Sequence, residues 1–165
     1  MRSGEDRDVP IILYNYTPTR AGSHAAEFLA GAEPGYYLMT DDYKGYNKVP
    51  EVQRCCCWAH IRRYWLRAIP KGHEKDYTHP AVQGFLYCNK LFEYERSYRE
   101  KGLSLKQTYN RRLKDQKPVI EAFFVVARSA ASGIWGSYHP GDQLFQRMPS
   151  IYDELSERWR LQSQQ

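Results

Sequence analysis

Two adjacent carboxylates end an apolar segment of this sequence. The segment reads Gly35-Tyr-Tyr-Leu-Met-Thr and is followed at once by Asp41 and Asp42. A carboxylate at the end of a strand stands on a rigid scaffold beside a cleft, where its oxygens can bind Mg²⁺. Two such ions about 3.5–4 Å apart can stabilise the attacking and leaving oxygens of a phosphodiester displacement. Aspartates are also ordinary turn formers at strand ends, so this segment alone leaves both interpretations open.

A possible start of a zinc site follows about fifteen residues later. Cys57 and His60 have a suitable spacing, but a structural zinc ion needs four ligands. The remaining candidates are Cys88, His73 and His79, and they form no matching second pair. The alternative is a buried cysteine in a strand beside a histidine at the start of a helix.

Basic side chains are concentrated in the middle of the chain. The whole sequence has a net charge of +5, whereas residues 54–117 contain 15 basic and 6 acidic side chains, a net charge of +9. Affinity for nucleic acid rests largely on Lys and Arg at phosphates, although solvated helix faces have a similar composition. Arg62, Arg63 and Arg67 lie close together on a predicted helix and are candidate contacts to a phosphate backbone.

Length and composition exclude several classes of protein. The 165 residues allow one domain or a piece of a larger one, and 42% apolar with 26% charged residues supports a packed core. No apolar run approaches the ~18 residues of a membrane span, and residues 1–8 lack the hydrophobic region of a secretory signal. No Gly-rich phosphate loop and no Gly-x-Ser-x-Gly elbow occurs. Cys55, Cys56 and Cys57 are consecutive, unlike the spaced cysteines of a disulfide framework, so we expect reduced thiols and a cytoplasmic location. Because no apolar run is long enough to span a membrane, we expect no membrane partner.

The elements that must position Asp41 alternate between strand and helix. The β-branched and aromatic run over residues 9–16 predicts an interior strand. Ser23 is the predicted N-cap of a helix that stops at Gly31. The apolar run before Asp41 predicts a second strand, and residues 52–58 a third, which leads into a helix beginning near residue 59 or 60.

Downstream of residue 70 the pattern is helical. An apolar stripe from Phe85 to Tyr98 predicts a helix that closes at Gly102. Ser104 and Gln107 have the spacing of a capping box that opens the next helix, and Pro118 either kinks that helix or starts another. A further apolar face follows, formed by Val119, Ile120, Phe123, Phe124, Ala127 and Ala131.

The sequence contains, in this order, Tyr14-Asn-Tyr-Thr-Pro-Thr-Arg20, Glu27-Phe-Leu29, Gly35-Tyr-Tyr-Leu-Met-Thr-Asp-Asp-Tyr-Lys-Gly-Tyr-Asn47 and Cys57-Trp-Ala-His-Ile-Arg-Arg-Tyr-Trp65. Together these four segments resemble the insertion sequence 66 family of DDE transposases. Their order and spacing suit the family over about residues 3–128, and the stretch from about Phe85 to Ala127 resembles its insertion region.

The resemblance implies a fold and a chemistry. The fold class is α/β, with a partial RNase H-like core over residues 1–70 and a mostly α-helical insertion over 71–131. Residues 132–165 are a divergent tail, in which the sequence itself predicts a short helix over 150–161. In such cores three carboxylates bind Mg²⁺ or Mn²⁺ for DNA strand cleavage and joining, and Asp41 matches the second. The implied partners are DNA at transposon ends and further copies of the chain. His60 matches a motif position, and the resemblance leaves open whether its side chain contacts DNA or packs locally.

The departures from the family pattern bear on activity. Asp42 stands where the family usually has Gly, so no catalytic role is transferred to it. The Asp-Glu-Thr-Pro-like strand of the first carboxylate and the Asn-Asn-x-Ala-Glu-Arg-like helix of the final Glu do not occur in the sequence. Asp6 and Asp8 are poor substitutes, because they lie in a charged region before the first predicted strand. We expect a transposase fragment that cannot catalyse transposition alone; the alternatives are a non-catalytic DNA-binding or interaction module that uses residues 54–117, and an inert remnant.

Overall fold

The structure is a computed structural model that describes residues 11–32, 36–41 and 43–131. These residues combine helix and strand, and about 60% of them are helical. The chain forms two compact units that divide between Cys55 and Cys56. The predicted tail at 132–165, including the helix expected at 150–161, lies outside the described residues.

The first unit contains a short helix, a two-stranded sheet and a tight turn between the strands. Helix α1 spans Gly22–Phe28, strand β1 spans Tyr37–Thr40, and a 3₁₀ helix spans Lys44–Lys48. Strand β2, Gln53–Cys56, lies parallel to β1. Within the described part of the chain this is the whole sheet, so the mixed class is confirmed and an RNase H-like core stays a prediction.

Strand β1 is buried on one face. Leu38 and Thr40 are buried while Tyr37 and Met39 are exposed, which is the alternation of a half-buried strand. Asp41 follows directly, so the prediction of a strand that ends at this carboxylate is confirmed.

The interior strand predicted over residues 9–16 is wrong for the described part, residues 11–16. Only Ile12 forms a bridge there, and the side chains from Ile11 to Tyr16 are all exposed. The apolar composition indicates a segment suited to burial on both faces, but burial also requires neighbouring strands. The sheet of the described residues has only β1 and β2.

Helix α1 was predicted correctly, but its first residue was not. Ala21 occupies the N-cap position without a side-chain hydrogen bond, and Ser23 lies inside the helix. Gly31 follows the helix with a φ of +86°, a left-handed conformation that glycine adopts without steric cost.

The second unit is helical. Helix α2 spans Trp58–Ala68, α3 Pro80–Glu100, α4 Leu105–Arg111 and α5 Lys117–Ala131. The predicted third strand is therefore too long, since β2 ends at Cys56 and Trp58 already belongs to α2. The placement of Trp58 has a packing reason: its ring lies edge-on to Phe123, with centroids 5.2 Å apart.

The core of this unit lies between α2, α3 and α5. Trp65 and Phe123 are almost fully buried and stack edge to face, with centroids 5.6 Å apart. The other buried residues of the cluster are Ile61, Ala68, Ala81, Cys88, Leu91, Ile120, Phe124 and Ala127. The apolar face predicted for α5 is thus confirmed at its buried positions.

The predicted connection between α3 and α4 is confirmed. Gly102 has a φ of +61° just after α3. Ser104 then accepts a hydrogen bond from the Gln107 N–H, while the Gln107 side chain accepts one from the Ser104 N–H. Both halves of the capping box are present, so the first turn of α4 has partners for two of its free N–H groups.

A five-residue π-helix, Arg112–Gln116, joins α4 to α5. Pro118 follows near the start of α5, where its lack of an N–H and its ring are incompatible with regular α-helical bonding to the preceding turn. The π-helix ends two residues before the proline, and helical backbone runs without a break from α4 through the π-helix into α5.

Helix α2 packs within the second unit, although its sequence falls inside the segment 1–70 assigned to the core. That assignment follows family segments rather than compactness and stays a prediction.

Candidate functional site

Asp41 lies at the end of β1 with its carboxylate already engaged. Its Oδ2 atom is 2.8 Å from Nη2 of Arg20, and its Oδ1 accepts a hydrogen bond from the Tyr43 N–H at 3.1 Å. The Asp41 side chain retains 26% of its exposure, against 69% for Arg20. Both carboxylate oxygens therefore have partners in the first unit.

Arg20 is held in place by Tyr43. Its guanidinium lies over the Tyr43 ring, 4.3 Å from the centroid, and the Tyr43 hydroxyl donates to the Arg20 carbonyl oxygen. Stacking over an aromatic face and pairing with a carboxylate are both favourable for a planar guanidinium. Each of the three residues Arg20, Asp41 and Tyr43 therefore contacts the other two.

Arg54 fixes the backbone at the same strand end. It donates from Nε to Thr40 Oγ1 at 3.1 Å and from Nη2 to the Asp41 carbonyl oxygen at 3.0 Å. Its Nη1 donates to Asn47 Oδ1. One side chain on β2 therefore links the end of β1 to the 3₁₀ helix, which sets the position from which the Asp41 carboxylate projects.

Two glycines allow the backbone to pass close to this strand end. A Cβ on Gly22 would lie 2.5 Å from the carbonyl oxygen of Gly45 and 2.7 Å from its Cα. A Cβ on Gly45 would overlap the Tyr43 ring. The motif Thr-Asp-x-Tyr-x-Gly-Tyr-Asn therefore has a structural role at five of its positions, namely Thr40, Asp41, Tyr43, Gly45 and Asn47.

The described residues do not fit a divalent metal ion as they stand. Mg²⁺ prefers six oxygens at near-octahedral geometry, whereas Asp41 offers one carboxylate that a cationic guanidinium already neutralises. Among residues 11–32, 36–41 and 43–131 no three His, Cys, Asp or Glu side chains lie together as a metal site. Asp42 lies outside the described residues.

His60 and Cys57 lie at the start of α2. Cys57 is the N-cap residue and makes no side-chain hydrogen bond to the helix, while the Nδ1 atom of His60 is buried without a hydrogen-bond partner among the described residues. Cys88 is buried in the core between helices, where loss of solvation raises its pKa to about 12 and keeps the thiol protonated. The grouping of these three with His73 or His79 as a metal site is not present in the described part.

Arg62 packs against α3. Its Nε donates to Asn89 Oδ1, and its guanidinium lies 4.7 Å from the centroid of the Phe85 ring. Arg63 and Arg67, by contrast, are exposed one helical turn apart on α2. The structure therefore separates the three arginines that the sequence grouped together.

Sequence reasoning did not identify Arg20 or Arg54 as parts of the site. Arg20 lies just before α1, and Arg54 lies on β2. Arg20 contacts the Asp41 carboxylate and Arg54 contacts the Asp41 carbonyl oxygen, although they are 21 and 13 residues away in sequence. No local pattern marks such contacts, because pairing between distant segments depends on how the strands and the turn are arranged.

The fold and this strand end define a mixed α/β chain with a carboxylate at the end of a parallel strand. A protein-family model described as the Transposase IS66 family matches residues 1–147. The chain belongs to this family, and its function is related to transposition. The family points to DNA as a partner and to dependence on divalent metal.

Comparison with curated proteins and with solved structures gave no match. Among the described residues, no helix is both long and apolar enough to span a membrane.

Proposed function

We propose that this chain is part of a DDE transposase with an RNase H-like core, whose reaction is metal-dependent cleavage and joining of DNA strands. The family match supports this proposal, and so does the position of Asp41 at the end of a parallel strand. Residues 1–70 are assigned to the core and residues 71–131 to a helical insertion.

We also propose that the 165-residue chain does not catalyse strand transfer by itself. The observation that carries this proposal is the ion pair of Asp41 with Arg20 at 2.8 Å. Two hydrated Mg²⁺ ions need several oxygen ligands, and the one carboxylate matched to the family's set is engaged by a cation. Catalysis would need carboxylates from a second, different polypeptide; self-association and a cytoplasmic location stay predictions.

The test is nicking of supercoiled plasmid by the purified chain in Mg²⁺ or Mn²⁺. We expect the same background of nicked product from the unaltered chain and from Asp41→Asn, in which the carboxylate becomes a neutral amide of equal size. Metal-dependent nicking by the unaltered chain that Asp41→Asn abolishes would show that the chain is an active nuclease and would overturn the second proposal.

DNA binding without cleavage is the second candidate function. Its support is the excess of exposed basic side chains on the described helices of the second unit, such as Lys106 and Lys114. Affinity for duplex DNA measured at several salt concentrations tests it, because binding through several phosphates weakens steeply as salt rises. Affinity that does not change with salt would contradict this candidate.

A further inference from the structure

Around the C-terminal end of α3 the basic side chains are exposed, whereas two of the three acidic side chains are partly buried. Residues 95–117, here called the α3–α4 corner, contain eight basic and three acidic side chains. Two of the three carboxylates, Glu95 and Asp115, are mostly buried, with 30% and 21% of their side chains exposed. Each of them pairs with an arginine of the corner, Glu95 with Arg112 and Asp115 with Arg111, so the net charge of +5 over these residues lies mainly in exposed side chains.

Glu95 is held inside the corner by three hydrogen bonds. Arg112 donates to it from Nε and Nη2, both at 2.7 Å, and Gln116 donates from Nε2 at 2.6 Å. Burial by itself would raise the pKa of Glu95, but the hydrogen bonds from Arg112 and Gln116 lower it below the ordinary value. The carboxylate thus stays ionised while it ties α3 to the π-helix.

Asp115 makes the second tie. The Tyr98 hydroxyl donates to its Oδ2 at 3.1 Å, and burial together with this carboxylate raises the pKa of Tyr98 to about 12. Arg111 lies 3.7 Å from the same oxygen. With the Ser104 capping box at the start of α4, these contacts fix the backbone that carries the basic side chains.

The remaining basic side chains of the corner are exposed. They are Arg96, Arg99, Lys101, Lys106, Lys114 and Lys117. Helix α2 offers fewer exposed charges, because Arg62 is packed on α3 and only Arg63 and Arg67 are exposed there. A fixed backbone that presents six further exposed cations, with Glu100 as the one exposed carboxylate of the corner, suits a regular polyanion, and a phosphate backbone is recognised by such contacts.

We propose that the α3–α4 corner is the main surface through which this chain binds the phosphate backbone of duplex DNA. The assignment rests on the proposed DNA binding and adds its location. Contacts of this kind position a protein on DNA without reading its sequence, so the corner would serve any base sequence equally.

The test compares two double substitutions that remove the same charge from exposed helical positions. Lys106→Gln with Lys114→Gln alters the corner, and Arg63→Gln with Arg67→Gln is the matched control on α2. Binding of a fluorescein-labelled DNA duplex is followed by anisotropy at several salt concentrations. Each lost phosphate contact lowers the slope of log affinity against log salt by about 0.9, so we expect a reduction of roughly 1.8 for the corner pair and almost none for the control.

The outcomes distinguish an error in where DNA binds on the chain from an error in the proposal that the chain binds DNA. An equal or larger reduction in slope for the α2 pair would overturn the location while leaving DNA binding intact. No binding by the unaltered chain at low salt would overturn the DNA-binding candidate itself, and the corner assignment with it. Displacement of the duplex by polyglutamate at the same concentration of charge would overturn the choice of DNA as partner.

Discussion

Arg20 and Asp41 are 21 residues apart in sequence, and their side chains form an ion pair with Nη2 and Oδ2 2.8 Å apart. Arg20 occupies one face of the carboxylate that the family resemblance assigns to metal. The contact is accessible to solvent, since more than half of the Arg20 side chain is exposed. A divalent ion at Asp41 would therefore have to displace a guanidinium or lie beside it.

Replacing Arg20 by Met should increase the affinity of Mn²⁺ for Asp41. Met retains an apolar stem for the Tyr43 ring and removes the positive charge. At about 5 Å in water, a dication and a unit positive charge repel by roughly 1.7 kcal/mol, so we expect binding on the order of tenfold tighter. The measurement is paramagnetic broadening of the Asp41 and Tyr43 amide signals by Mn²⁺.

The control for that experiment is Arg20→Lys, which keeps the charge. It should broaden like the unaltered chain, and addition of Asp41→Asn to Arg20→Met should remove the gain. Equal broadening in Arg20→Met and Arg20→Lys would mean that the cation does not compete with metal.

Substitution of Gly84 by Ala should destabilise the helical unit. Gly84 lies in α3 against the ring of Trp65, and a Cβ there would overlap that ring. Alanine gains about 1 kcal/mol over glycine within a helix, but overpacking a well-packed core costs about 1–3 kcal/mol. Because Trp65 is almost fully buried, the second effect should win and lower the free energy of unfolding in urea by up to about 2 kcal/mol.

A double-mutant cycle with Trp65→Leu tests the cause of that loss. In the Leu background the ring is absent, so Gly84→Ala should be much less destabilising or even stabilising. An unchanged cost in that background would show that the backbone at Gly84, and not the Trp65 ring, is responsible.

Loss of Arg112 should cost more than loss of an ordinary surface partner. Arg112→Met leaves the Glu95 carboxylate without its two bonds at 2.7 Å. Unpaired, partly buried charges are costly, so we expect a loss of about 1–3 kcal/mol in the free energy of unfolding. The matched control is Lys90→Met, which breaks the exposed Lys90–Glu93 pair at 3.2 Å and should change stability by less than about 0.5 kcal/mol. Similar losses in the two variants would contradict the structural role given to Glu95.

Protonation of His79 should weaken the start of α3. The neutral ring accepts a hydrogen bond from the Ala81 N–H through Nδ1 at 3.1 Å, and a protonated ring has no acceptor. Burial lowers the pKa of His79 below its ordinary value of 6.5, with Asp76 opposing and His73 adding to the shift. The folded chain therefore binds fewer protons than the unfolded chain below about pH 6.5, and stability falls as pH falls through that range.

The comparison for His79 is His79→Asn, because asparagine caps helices well and does not titrate. Between about pH 7.5 and 5.5, thermal stability should fall less in His79→Asn than in the unaltered chain. An identical fall in both would assign the pH dependence to other groups.

The sequence predicted those features that depend on neighbouring residues. The strand that ends at Asp41, the capping box of Ser104 and Gln107 and the glycine stop at Gly102 were all correct. Each arises from hydrogen bonds or backbone preferences within a few residues, so a short pattern contains the information.

Contacts between distant segments were not predicted. Arg62 was grouped with Arg63 and Arg67 from helical spacing, but only packing on α3 shows that its guanidinium faces Phe85 and Asn89. His79 was considered only as a metal ligand, although Pro80 immediately after it is a usual signal for the start of a helix. The exposed segment at residues 11–16 shows the converse, since its apolar composition indicates burial and says nothing about whether neighbouring strands are present.

The close approach of Gly22 to Gly45, together with the Arg54 and Tyr43 contacts, has an evolutionary consequence. The motif residues that stabilise this turn would be needed for folding whether or not a copy catalyses strand transfer. The motif therefore reflects architecture as well as chemistry, and its presence alone does not mark a transposon that can still move.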